Sequence, residues 1–119
     1  MLEERESADL ELWLSDRRGE PVTSSELARL EVLRGCRRLD AGTVPAAREL
    51  LADIELISLS GRVIDEAGDV AGPSLRSQDA LHLASALSIA TDLSAFIAYD
   101  RRLATAAEAA GLPTIRPGA

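Results

Sequence analysis

The sequence predicts an α/β fold with a mostly parallel sheet covered by helices on both faces, and three observations carry that prediction. Short strand candidates alternate with helical segments along the whole chain. One of them, Ala95-Phe96-Ile97-Ala98-Tyr99, is a continuous apolar run bounded by polar residues, the pattern of a buried parallel strand. No internal repeat, low-complexity tract or long linker interrupts the alternation, so the 119 residues read as one domain.

The elements follow in order. From Leu2 to Arg17 the pattern is helical, with Leu10, Trp13 and Leu14 on one face. Pro21-Val22-Thr23 is a short strand candidate, and Ser24 or Ser25 can cap the helix expected over Glu26 to Leu39. A third helix is expected over Val44 to Ala52, with Pro45 in its first turn, where proline is tolerated. Ile54 to Leu59 alternates as a strand does, and Gly61 to Val70 reads as a further helix. Ser77 is positioned to cap a strongly apolar helix through Ala90. After the 95–99 strand, Arg101 to Ala110 is helical, Gly111 stops it, and Pro113-Thr114-Ile115 is a last short strand. Gly19-Glu20-Pro21, Gly42 and Gly72-Pro73 supply the remaining breaks.

Composition narrows the function classes. Trp13, Phe96 and Tyr99 are the only aromatics, so Leu, Ala, Val and Ile must build the core. The single cysteine, Cys36, excludes an internal disulfide and a multi-cysteine zinc site, and reads as a small apolar residue on a helix. No apolar run approaches the roughly 20 residues of a membrane span. The acidic start, Met1-Leu2-Glu3-Glu4-Arg5-Glu6, lacks a signal peptide's apolar stretch. A cytoplasmic protein is the expectation. The net charge of −7, from 13 basic and 20 acidic residues, argues against binding nucleic acid by bulk attraction. It leaves room for an enzyme whose local positive charge is a metal ion, or for a basic partner.

Ligands of parallel sheets sit at the carboxyl ends of the strands, which draws attention to three acids. Asp100 directly follows the 95–99 strand, and it also reads as a helix N-cap. Asp79 lies in the first turn of the Ser77 helix, where the helix dipole favours an anion. It also leads the stripe Leu83, Ala86 and Ala90, which points it inward, where a charge requires a partner such as a cation. Glu31 lies mid-helix, and from spacing alone an exposed pair with Arg34, worth a few tenths of a kcal/mol, is the favoured account of it. His82, the only histidine, reads as a general base or a partly buried structural residue. The sequence has no nucleophile elbow, glycine-rich phosphate loop or dinucleotide fingerprint. Carboxylates without thiols or several histidines suit Mg²⁺ or Mn²⁺, ions that promote phosphodiester hydrolysis.

Two segments resemble a known family. Ser77-Gln78-Asp79-Ala80-Leu81-His82-Leu83-Ala84-Ser85-Ala86 is similar to the S-x-D-A-x-H-L-A-x-A segment of VapC-type PIN-domain toxins, and Phe96-Ile97-Ala98-Tyr99-Asp100-Arg101-Arg102-Leu103 to their F-V-T-Y-D-x-R-L segment. Ala109-Ala110-Gly111-Leu112-Pro113 and the helix from Ser24 to Arg34 extend the likeness over nearly the whole chain. The resemblance implies a three-layer α/β/α sandwich over residues 1–119 and a metal-dependent endoribonuclease, the toxin of a type II toxin–antitoxin system. It implies Glu31, Asp79 and Asp100 as the catalytic and metal-holding acids, Mg²⁺ or Mn²⁺ as cofactor, an RNA substrate, a VapB-type antitoxin and a homodimer. Arg76, Arg101 or Arg102 would contact the RNA backbone, or remain solvated charges.

The family begins with a short apolar strand carrying an aspartate, in the middle of its sheet, and here Glu3 to Ala8 matches a later part of the pattern. The expectation is an N-terminally truncated PIN-like domain with the first strand missing and three acids of four retained. An internal start codon, a sequence boundary or degeneration would each produce it. The competing function is therefore a catalytically impaired PIN-like module that pairs with an antitoxin or another toxin subunit. A flavodoxin-like or receiver-like domain shares the alternation, but such domains also require acids at the end of a first strand.

Overall fold

The computed structural model describes residues 4–17, 19–70 and 72–118. Among them are six α-helices and four short strands: α1 (Glu4–Ser15), β1 (Thr23–Ser25), α2 (Leu27–Leu39), α3 (Val44–Ala52), β2 (Glu55–Ile57), α4 (Gly61–Asp69), α5 (Ser77–Leu87), β3 (Phe96–Ile97), α6 (Arg101–Ala109) and β4 (Thr114–Ile115). Single 3₁₀ turns precede α3 and follow α5. The expected start of α1 at Leu2 lies outside the described residues.

The α/β class holds, and every strand pairing is parallel. β1 pairs with β2 in the register Thr23↔Glu55, Ser24↔Leu56 and Ser25↔Ile57. β3 pairs with β4 in the register Phe96↔Thr114 and Ile97↔Ile115. Parallel neighbours need a crossover, supplied by α2 and α3 for the first pair and by α6 for the second. The two pairs are separate two-stranded sheets among the described residues. A hydrogen bond of 3.2 Å from Ser94 Oγ to Glu20 Oε1 links the segments that lead into β3 and β1.

Local chemistry accounts for most boundaries. Pro45 sits in the first turn of α3, whose bounds match the sequence reading. Ser60 caps α4 by accepting from the Val63 amide at 3.2 Å. Gly111, at φ +89°, takes the left-handed conformation just past α6, where a side chain would be strained. Three details of the sequence reading need correction. The first strand lies two residues later than expected, so Ser24 and Ser25 are strand residues and Glu26 holds the N-cap position of α2 without a capping bond. Arg76, not Ser77, is the N-cap residue of α5. The helix also stops at Leu87, leaving Ala90 exposed in the 3₁₀ turn instead of on the buried stripe.

The main core gathers Leu75, Ala80, Leu83, Ala86, Ala98, Leu103, Ala104, Ala107 and Leu112. Five of these nine are alanines, so helix backbones approach closely and α5 packs against α4, α6 and β1. Leu83 is 1 % exposed and occupies the centre. Cys36 is a half-buried thiol on α2, as its small apolar character suggests. No described helix is long and apolar enough to cross a membrane.

Candidate active site

The three acids arrive from three helices. Glu31 stands on the second turn of α2, just beyond the carboxyl end of β1. Asp79 lies in the first turn of α5, and Asp100 follows β3 and opens α6. Asp79 and Asp100 share a neighbour that the sequence did not single out for this role: the Arg76 guanidinium. Its Nε lies 3.0 Å from Asp79 Oδ2, and a terminal nitrogen lies 3.9 Å from Asp100 Oδ2. Hydrogen bonding and charge from Asp79 dominate, and with Asp100 and Glu31 also attracting it they hold Arg76 more firmly protonated than an isolated arginine. The i,i+3 spacing of Arg76 and Asp79 was a usable signal.

Each acid combines a structural contact with its place in the group. Asp79 is 8 % exposed, as its position at the head of the apolar stripe implies, and Arg76 answers the charge. Asp100 caps α6, its Oδ1 accepting from the Leu103 amide at 3.0 Å. That amide, then the Arg102 amide and the charges of Arg76 and Arg102, hold its carboxyl below the ordinary value despite some desolvation. Glu31 does not pair with Arg34. Its Oε1 instead accepts from His82 Nε2 at 2.6 Å, and the opposite ring nitrogen, Nδ1, lies 2.8 Å from Ser25 Oγ. Ser25, missed as a site-supporting residue, is 3 % exposed at the end of β1.

Arg101 and Arg102 are exposed at the start of α6 and line a hollow of about 720 Å³ with Val70, Leu75, Leu83 and Ala106. None of the three acids lines that hollow, so it and the acidic group are separate features among the described residues.

These elements match a known pattern. The PIN domain family model matches residues 1–109. The chain belongs to the PIN domain family. Ribonuclease VapC47 of Mycobacterium tuberculosis (strain CDC 1551 / Oshkosh) is 36% identical over 122 residues, covering 100% of this chain and 90% of that relative. Ribonuclease VapC46 of the ATCC 25618 / H37Rv strain is 38% identical over 114 residues, covering 96% of this chain and 86% of the relative. Ribonuclease VapC35 is 35% identical over 117 residues, covering 97% and 87% respectively. No solved structure matches the chain.

In this PIN domain the donor set, three carboxylates without thiols, is chemically suited to a hard divalent cation. The described residues do not close three metal-binding side chains on one point. Arg76 is the positive charge that Asp79 and Asp100 share instead, and Glu31 is held by His82.

Proposed function

We propose that this PIN domain is a metal-dependent endoribonuclease, the toxin of a type II toxin–antitoxin pair, in which Glu31, Asp79 and Asp100 hold a Mg²⁺ or Mn²⁺ ion. The observation that carries the reading is that Asp79 and Asp100, from different helices, meet at the single Arg76 guanidinium, whose charge Glu31 also attracts. Nuclease activity is supported by relatives named ribonucleases along almost the whole chain. A bound hard cation supplies an activated water and stabilises the charge on the attacking and leaving oxygens of a phosphodiester. Asp79 would present a carboxylate already shielded from water, and Asp100 one kept ionised by its capping bond. Arg101 and Arg102, exposed beside Asp100, are suited to RNA phosphates. A VapB-type antitoxin and a second copy of the chain are the protein partners of this reading, and the cytoplasm its place of action.

The second reading, a binding module impaired in catalysis, is favoured by one observation: Arg76 already compensates Asp79 and Asp100. Cleavage of RNA with Mg²⁺ separates the two. On the first reading Asp79→Asn and Asp100→Asn each lower the rate on the order of 100-fold or more, as expected for removal of a ligand to a catalytic ion. If both variants cut as well as the parent chain, these acids are not the site. If the parent chain does not cut, the binding reading stands.

A further inference from the structure

His82 has both ring nitrogens engaged, and its two partners belong to different layers of the site. Nδ1 lies 2.8 Å from Ser25 Oγ on β1, and Nε2 lies 2.6 Å from Glu31 Oε1 on α2. A carboxylate can only accept, so the Glu31 contact requires the proton on Nε2. In the neutral ring Nδ1 is then an acceptor, and the buried Ser25 hydroxyl is its donor. Glu31 therefore fixes the tautomer, and Ser25 on β1 seats the opposite nitrogen.

Glu31 needs such a contact. Its side chain is 40% exposed on a helix surface, where a free glutamate samples several rotamers. His82 lies on α5, one turn beyond Asp79, so its bond to Glu31 ties α2 to the helix that carries another of the acids. Ser25 is enclosed and its hydroxyl is committed to the ring, which leaves it unsuited to nucleophilic work. The arrangement has the form of a carboxylate held by a hydrogen-bonded neighbour that is itself held from behind.

We propose that His82, seated by Ser25 at Nδ1 and donating from Nε2, is a positioning residue that holds the Glu31 carboxylate towards Asp79 and Asp100. This rests on the reading of Glu31 as a site residue. His82 acts through Glu31 and takes no proton from substrate in this role. Because both nitrogens are occupied, the same geometry argues against the general-base alternative.

The test uses the fact that His82 is the only histidine, so nitrogen NMR of isotope-labelled chain reports one imidazole. In its neutral form the ring of the parent chain should show the Nε2–H tautomer, and Glu31→Ala should show a mixture. Mn²⁺ affinity, read by electron paramagnetic resonance, should weaken by about 10- to 100-fold in His82→Leu, the usual effect of losing a group that orients a ligand. His82→Gln, whose amide can donate from the Nε2 position, should recover most of that loss. An Nδ1–H tautomer or a mixture in the parent chain overturns the proposal. So does unchanged Mn²⁺ affinity in His82→Leu, or a His82→Gln as weak as His82→Leu, when Glu31→Ala weakens binding. Should His82→Leu fail to fold, Ser25→Ala decides, and an unaltered Mn²⁺ affinity there also overturns it. No Mn²⁺ binding by the parent chain, or none lost in Glu31→Ala, defeats the site reading itself and this proposal with it.

Discussion

Arg76 Nε and Asp79 Oδ2 lie 3.0 Å apart across the first turn of α5, pairing a largely exposed guanidinium with a nearly buried carboxylate. The asymmetry matters. The Arg76 side chain is 65% exposed and can turn into solvent, whereas Asp79, at 12%, has few other places to go. A divalent cation bound to the acids would compete with Arg76 for Asp79 and Asp100.

Removing the arginine charge should therefore strengthen the response to metal. In Arg76→Gln, Mn²⁺ is expected to raise the melting temperature by more than it does in the parent chain, since binding to the folded state stabilises it by mass action. Calorimetric scans with Mn²⁺ and with chelator make the comparison. An equal or smaller rise in the variant would show that Arg76 does not compete with the ion.

Asp100 should contribute a pH-dependent part of stability in metal-free buffer. Its folded carboxyl titrates below the ordinary 3.8, chiefly because the Leu103 amide donates to the charged form. A depressed acid stabilises the fold fully above the unfolded value, and that contribution disappears as pH falls through the folded value. Asp100→Asn keeps the cap acceptor but cannot ionise. Urea midpoints of parent and variant should differ near neutrality and converge in acid. A gap independent of pH would contradict this account.

Leu83, 1 % exposed at the centre of the core, should be among the least replaceable apolar residues. Leu83→Ala is expected to lose about 2–5 kcal/mol through the removed methyl groups and the cavity they leave. That is a large fraction of the roughly 5–15 kcal/mol available to a typical domain. Urea denaturation measures it, and a loss much below this range would mean that the alanine-rich surroundings collapse into the space.

Ser85 offers a change of opposite sign. Its Oγ is buried without a hydrogen-bond partner among the described residues, and the side chain is 1 % exposed. An unpaired buried hydroxyl costs about 1–3 kcal/mol of desolvation. Ser85→Ala should leave stability unchanged or raise it by up to about that amount, as shown by the melting temperature. A clear drop would mean that the hydroxyl has a partner in solution.

Local patterns were read well where local chemistry sets the structure. The Val44–Ala52 helix follows from Pro45 and the periodicity around it, and the capping role of Asp100 from its place between an apolar strand and a helix. Reading failed where two local solutions compete. Ser24 and Ser25 are good N-cap residues, yet the ladder to Leu56 and Ile57 draws them into β1. Glu31 and Arg34 have the spacing of a helix-surface pair, but His82, brought in on α5, takes the carboxylate.

The sequence by itself determined the α/β alternation, the parallel pairing implied by it, the three acids worth asking about and the likeness to PIN domains, because periodicity, caps and motifs are properties of neighbouring residues. Only the tertiary structure decided that Arg76 reaches both Asp79 and Asp100, and that Ser25, His82 and Glu31 form one chain of hydrogen bonds. His82 stands 51 residues from Glu31 and 57 from Ser25 along the chain. Contacts at that range arise when α5 packs against β1 and α2, and no local pattern encodes which polar atoms then meet.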